Sequence, residues 1–139
     1  DYDAVLWCHV TMPFRKSEWL EAIIDKVANN ADIDSSFIVC ATYKDYWAVD
    51  SQGSIVPLTL EGSHPGYTQR QKKAPVYQEQ CGLGCVTSAE IIRGGTRMGG
   101  NVAPYAIDDD LAMTDIHTGF DLWIANQIAE KINLIGPED

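Results

Sequence analysis

Asp115 and His117 are the two residues whose types and spacing come nearest to a site for chemistry. They stand two positions apart, so both side chains point the same way if the backbone between them is extended. A carboxylate and an imidazole on one face can hold a divalent cation. The same stretch also fits a solvated acidic turn before a capped helix, and the spacing alone leaves both interpretations open.

The neighbouring elements predict that this pair lies between a strand and a helix. Thr118 is typical of a helix N-cap, and Asp121 three residues later favours a helix start through its charge. Apolar residues then recur at helical spacing over residues 122–132. Residues 102–107 favour a short strand before the pair. Open α/β folds place ligands at such strand-to-helix turns, so the sequence predicts a ligand cleft here.

Strands and helices alternate along the rest of the chain, which predicts an α/β fold. Two apolar runs, at residues 4–10 and 37–41, are typical of strands buried on both faces of a parallel sheet. Residues 61–80 are polar and are expected to form a loop or an arm. The other predicted strands are at residues 47–49, 55–58, 84–87 and 102–107, with helices at 17–27, 88–92 and 122–132.

Charge and cysteine content argue against several function classes. The 139 residues suggest one domain, and a formal net charge of −10 argues against binding to nucleic acid or to an anionic membrane surface. No apolar run in the sequence approaches the length of a membrane span. The cysteines are expected to be reduced thiols of a cytoplasmic protein. Cys81 and Cys85 have C-x3-C spacing, but a zinc site would need a second pair of ligands, which the sequence lacks.

Four segments occur in the same order as four motifs of a known family. Residues 9–15 resemble its Q-P-T-S-P-L-R turn, and residues 46–58 resemble its P-Y-W … d-G-x-i-x-P-L hairpin. Residues 70–82 resemble R-Q-x-x-P-x-x-Y-x-x-N-G-A, and residues 104–121 resemble P-Y … D-I-D-T-x-x-D. The family is that of the sugar-acid cytidylyltransferases, which includes the acylneuraminate (CMP-sialic acid) synthetases, and the resemblance is to its C-terminal part.

The resemblance implies an incomplete nucleotide-diphospho-sugar transferase-like (Rossmann-like) three-layer fold, with a hairpin and dimerisation arm over residues 44–80. It implies transfer of CMP from CTP to an acidic sugar with release of pyrophosphate, assisted by Mg²⁺. Asp115 would be the catalytic metal ligand with His117 beside it, and Arg70 would face the sugar carboxylate. The other substrate-binding residues that it implies are Gln71, His9 and Gln80.

Several positions depart from the family pattern. His117 replaces the second metal-binding Asp, and because imidazole is a poor ligand for Mg²⁺, either Mn²⁺ suits the pair better or metal binding is lost. Gly84 stands where the sialic-acid enzymes have a Tyr near the sugar. The Arg/Lys- and Gly-rich nucleotide loop of the family has no counterpart here. We therefore expect a fragment that does not release pyrophosphate by itself.

Simpler interpretations stay open for the remaining candidates. Arg70 also fits a solvated loop charge, and His9 fits a core or turn histidine. The glycines at 94, 95, 99 and 100 could cradle phosphate, although a flexible hairpin tip fits better because no helix follows them directly. A homodimer or higher oligomer is expected. The alternative function is a non-catalytic homologue that self-associates or binds a sugar or nucleotide.

Overall fold

The computed structural model describes residues 2–58 and 73–135. The chain divides into two compact units, one from residues 1–40 and 79–139 and the other from residues 41–78. The strands are Ala4–Trp7 (β1), Ser35–Thr42 (β2), Trp47–Val49 (β3), Ile55–Pro57 (β4), Val76–Glu79 (β5), Cys85–Ser88 (β6) and Tyr105–Ile107 (β7). The α-helices are Ser17–Ala28 (α1), Ala89–Arg93 (α2) and Gly119–Ile135 (α3), and Asp110–Met113 forms a 3-10 turn.

The main sheet is mixed, with strand order β1–β6–β2–β5 and β7 also paired to β2. β6 is antiparallel to β1, with Trp7 opposite Cys85, and antiparallel to β2, with Phe37 opposite the same Cys85. β7 is parallel to β2, with Ile38 opposite Tyr105. β1, β2 and β7 therefore run in the same direction, and their carboxyl ends lie at one edge of the sheet.

The prediction that residues 4–10 form a strand buried on both faces was wrong. The strand ends at Trp7, stands at one end of the described strand order, and leaves Leu6 and Trp7 38% and 41% exposed. An apolar run has the same composition in a central strand and in a strand at the end of a sheet. The sequence alone therefore does not predict the position of β1 in the sheet.

Two other strand predictions also needed correction. Residues 76–79, expected within a loop or arm, form β5. The strand predicted from residue 102 begins only at Tyr105, because Val102 makes an isolated bridge to Ser35 and Pro104 has no N–H to continue a ladder.

The smaller unit contains the predicted hairpin of β3 and β4, which is confirmed. The two strands are antiparallel, with Ala48 opposite Val56. Oδ1 of Asp50 accepts the amides of Gln52 and Ser54 at 2.8 and 2.9 Å. Gly53 takes a φ of 81°, a left-handed conformation that suits glycine at this turn.

Helix α1 packs against the sheet of the larger unit and builds its main core. Trp19, Ile23 and Val27 are buried at a spacing of four, as the predicted helical periodicity requires. A second cluster forms where Phe37 and Val39 alternate with Ile38 and Cys40 along β2, which places the two pairs on opposite faces. The rest of the main core consists of Met12, Ile38, Cys40, Leu83, Val86, Ile107 and Ala112. In the described part of the chain, no helix is both long and apolar enough to span a bilayer.

Candidate functional site

Three loops of the larger unit meet at the sheet edge where β1, β2 and β7 end. The loop after β1 contacts the turn before β6, since the His9 amide donates to the Gly82 carbonyl at 2.8 Å. It also contacts the loop after β7, since the Ile116 amide donates to the Thr11 carbonyl at 2.9 Å. Segments far apart in the sequence thus form one cluster, and it lies where open α/β folds bind ligands.

Gln80 joins the turn before β6 to the loop after β7. It is only 8% exposed, and its side-chain Nε2 lies 3.2 Å from the sulfur of Met113. Its amide donates to the carbonyl of Ile38 at 2.8 Å. The structure therefore places this predicted substrate-binding residue inside the loop cluster, where it fixes the turn.

Asp115 and His117 lie side by side, as their spacing predicts. His117 Nε2 is 2.8 Å from Asp115 Oδ2, and the two side chains are 71% and 37% exposed respectively. Oδ1 of Asp115 is buried and has no hydrogen-bond partner among the described residues. One carboxylate oxygen is thus held by the imidazole, while the other has no partner in the described ranges of the chain.

The start of α3 confirms the capped-helix interpretation without excluding a ligand at Asp115. Thr118 Oγ1 accepts the amide of Asp121 at 3.2 Å, and Asp121 Oδ2 accepts the amides of His117 and Thr118 at 3.0 and 2.8 Å. The Thr118 hydroxyl and these two amides lower the pKa of Asp121. Thr118 and Asp121 make these capping bonds, and Asp115 makes none of them.

Arg15 is a candidate site residue that the sequence analysis did not single out. Its Nη2 donates to the carbonyl of His9 and, at 3.0 Å, to that of Met12, which fixes the loop after β1. Its Nε is buried and has no hydrogen-bond partner in the part of the chain that the structure describes. The available signal was an arginine within the Q-P-T-S-P-L-R-like segment of a chain with only ten basic residues.

An ion pair fastens the loop after β1 to the loop after β7. Lys16 Nζ is 2.9 Å from Asp109 Oδ2 and 5.2 Å from the centre of the Trp19 ring. Asp109 also caps the 3-10 turn by accepting the Leu111 amide at 2.9 Å. Burial alone would raise the pKa of Asp109, but the hydrogen bonds from Lys16 and Leu111 outweigh it and hold the pKa below its ordinary value.

Asp109→Asn is expected to flatten the acid side of the stability profile. Because the folded pKa of Asp109 lies below its ordinary value of 3.8, the stabilisation is present above that value and is lost as the pH falls through the folded pKa. The free energy of unfolding, measured with urea at a series of acid pH values, should fall less steeply in the variant. Asp110→Asn removes the same charge one residue away and is the control. Equal slopes for Asp109→Asn and the parent chain would contradict the role of this ion pair.

The described residues do not form a metal cage by themselves. No group of three or more His, Cys, Asp or Glu side chains in this part of the chain is placed to hold an ion. They do supply Oδ1 of Asp115, and Mg²⁺ is commonly bound by one or two carboxylates together with substrate phosphates. The described residues therefore supply one carboxylate, and a metal ion at this position stays a prediction.

The remaining predicted site residues separate into two groups. Arg70 and Gln71 lie outside the described residues, so their contact with a sugar carboxylate stays a prediction. His9 is an exposed turn residue rather than a core histidine, and it lies in the same loop as Arg15.

The loop that contains the glycines at 94, 95, 99 and 100 links α2 to β7, so it is not a hairpin tip. Its hydrogen bonds also argue against a phosphate cradle. The amides of Gly94 and Gly95 donate to carbonyls of α2, each at 3.0 Å. The amide of Gly99 donates to the Ser35 hydroxyl at 3.0 Å. A phosphate cradle needs free amides, and these donors are already used.

Comparison with known proteins identifies the type of fold. No family model matches the sequence, and no curated protein matches it. Among solved structures, the chain is similar to 4-diphosphocytidyl-2C-methyl-D-erythritol synthase from Anaerococcus prevotii DSM 20548, with a TM-score of 0.60 over 92% of the chain. The chain has a cytidylyltransferase-type fold. Sequence identity to that protein is 13%, and the chain spans 59% of its length.

The cytidylyltransferase-type fold confirms the coarse part of the sequence prediction, an α/β nucleotidyltransferase fold with a central sheet and helices. An identity of 13% shows the fold alone. The acidic sugar, the metal and the dimerisation arm therefore stay predictions.

Proposed function

We propose that this protein is cytidylyltransferase-like and that its intact form transfers CMP from CTP to an acidic, sialic-acid-like sugar and releases pyrophosphate. The observation that carries the proposal is the unpartnered Oδ1 of Asp115, at the sheet edge where a fold of this type ends its parallel strands. An acidic chain that binds a polyphosphate needs a cation at that position, and a free carboxylate oxygen is the ligand for it.

A metal ion bound there with the nucleotide would neutralise charge that develops on the phosphates as the sugar hydroxyl attacks. Asp115 would provide one oxygen to Mg²⁺ or Mn²⁺, and His117 would keep the carboxylate in place through its 2.8 Å contact with Oδ2. The buried Nε–H of Arg15 has no acceptor within residues 2–58 and 73–135 and would bind an anionic oxygen of the nucleotide or sugar. Gln80 would hold the turn beside them.

The sugar-binding part of the proposal rests on the sequence resemblance. Arg70 would form a forked contact with the sugar carboxylate, and Gln71 and His9 would bind its hydroxyls. CTP and the acidic sugar are the proposed small-molecule partners.

A second candidate function is a non-catalytic homologue that self-associates as a dimer or higher oligomer. Terminal strand β1 favours it, since Leu6 and Trp7 are substantially exposed there and a strand edge can pair with a second copy. The two functions make different predictions for nucleotide binding and for molecular mass.

The test is binding of CTP together with Mn²⁺, followed by electron paramagnetic resonance of the ion. We expect CTP to reduce the free-Mn²⁺ signal in the presence of the protein by more than CTP or protein alone. We also expect no pyrophosphate release by the chain when an acidic sugar is added. A Mn²⁺ signal unaffected by the protein, with a dimer seen by light scattering, would overturn the enzymatic proposal and favour the second candidate.

A further inference from the structure

Cys81 and Cys85 flank the turn before β6 and touch each other. Both are free thiols. Cys81 packs against a small cluster made of Phe37, Val39 and Cys85, and its thiol is hydrogen-bonded to the sulfur of Cys85. The chain reverses between them in a tight turn, closed by the amide of Leu83 donating to the Gln80 carbonyl at 3.0 Å.

We propose that Cys81 and Cys85 are a redox modification site, a dithiol that a peroxide oxidises to an intramolecular disulfide. The two sulfurs are already in hydrogen-bond contact, and a disulfide needs them about 2.05 Å apart. Cys85 is held by the β6 ladder, where it lies opposite Trp7. Cys81 lies in the turn outside the strand, so the closing movement falls on Cys81. This inference is independent of the proposed nucleotidyl transfer.

The environment of the pair favours a reactive thiolate near neutral pH. The hydrogen bond from Cys81 lowers the pKa of the Cys85 thiol to about 7, against the opposing effect of burial, and Arg97 lowers it further. The same interaction raises the pKa of Cys81. Cys81 therefore keeps the shared proton while Cys85 is the thiolate, and the half-buried Cys81 is the more accessible of the two sulfurs.

The oxidation balances with hydrogen peroxide as the oxidant. The Cys85 thiolate attacks one peroxide oxygen, the O–O bond breaks, and hydroxide leaves and takes a proton from solvent to form water. The Cys81 thiol then attacks the sulfur of the Cys85 sulfenic acid. The S–O bond breaks, the S–S bond forms, and the thiol proton leaves with the hydroxyl group as a second water. Two thiols are oxidised and one peroxide is reduced.

The disulfide would act on the loop cluster described above. Gln80 precedes Cys81 directly, and the carbonyl of Gly82 accepts the His9 amide. A movement of Cys81 towards Cys85 therefore displaces the backbone on both sides of it. Oxidation is expected to loosen the contact between the turn and the loop after β1.

The experiment treats the intact chain with a small excess of hydrogen peroxide at neutral pH, then alkylates and digests it with trypsin. Both cysteines lie in one tryptic peptide, residues 74–93. We expect this peptide to be two hydrogen masses lighter, to carry no alkyl group, and to regain two alkylation sites after dithiothreitol. Cys8→Ser is the matched control and should behave as the parent chain, whereas Cys81→Ser should lose the mass change.

Three results would overturn the proposal. They are a peptide that keeps both alkylation sites after peroxide, a disulfide from Cys81 or Cys85 to Cys8 or Cys40, and conversion to sulfinic or sulfonic acid without a disulfide. The parent chain alone supplies each of these readouts, so the result does not depend on whether a cysteine variant folds.

Discussion

Asp115→Asn is expected to abolish the CTP-dependent binding of Mn²⁺ while leaving the fold unchanged. The amide keeps the shape of the carboxylate but removes the charge, and Oδ1 is the one buried oxygen of this loop cluster without a partner among the described residues. The loss should be at least about 100-fold in metal affinity, since changing even a group that only orients a metal ligand costs up to that much.

Electron paramagnetic resonance of Mn²⁺ with CTP measures this loss, and circular dichroism checks that the variant is folded. Asp110→Asn is the control, because it removes an exposed carboxylate from the same loop. A companion variant, His117→Asp, should shift the preference from Mn²⁺ towards Mg²⁺, since it exchanges an imidazole for a hard oxygen ligand. Undiminished binding by Asp115→Asn would remove Asp115 from the site.

Gly84→Tyr is expected to prevent folding. A Cβ at position 84 would lie 2.6 Å from Cδ2 of Leu20 and 3.0 Å from Cδ1 of Ile23, inside the core that α1 forms with the sheet. Even Gly84→Ala should cost about 1–3 kcal/mol through overpacking. The interpretation of Gly84 as the counterpart of a sugar-facing tyrosine was therefore wrong, because a side chain there points into the core.

Urea denaturation of Gly84→Ala gives the change in the free energy of unfolding, and soluble yield with circular dichroism reports on Gly84→Tyr. Gly100→Ala is the matched control, since nothing lies within 4 Å of a Cβ at that position. A folded, stable Gly84→Tyr protein would show that the core around α1 can open, and would restore the sugar-facing interpretation.

The elements that the sequence predicts well are those whose signal is local. The spacing of Trp19, Ile23 and Val27 is enough to predict α1 and its buried face. Thr118 and Asp121 predict the start of α3, because a capping pair acts within one turn of helix. The hairpin of β3 and β4 follows from its turn residues in the same way.

The features that the sequence does not predict depend on partners far along the chain. The antiparallel β1–β6 pairing, the Lys16–Asp109 ion pair and the unsatisfied Nε of Arg15 are set by which segments meet in the folded state. No pattern within a short window carries that information. The candidate site is therefore predicted at Asp115 and His117, where the spacing is local, and missed at Arg15.

The pairing of Ala4 with Ser88 has a consequence for how the protein folds. A large loop must close before β1 gains its ladder, and such long-range closure slows folding and places it late. The His9–Gly82 and Ile116–Thr11 contacts join segments that are also far apart in the sequence, so they are expected to form with that closure. The site is therefore expected to assemble in the final cooperative step, so that refolding kinetics followed by nucleotide binding and by global circular dichroism should share one rate.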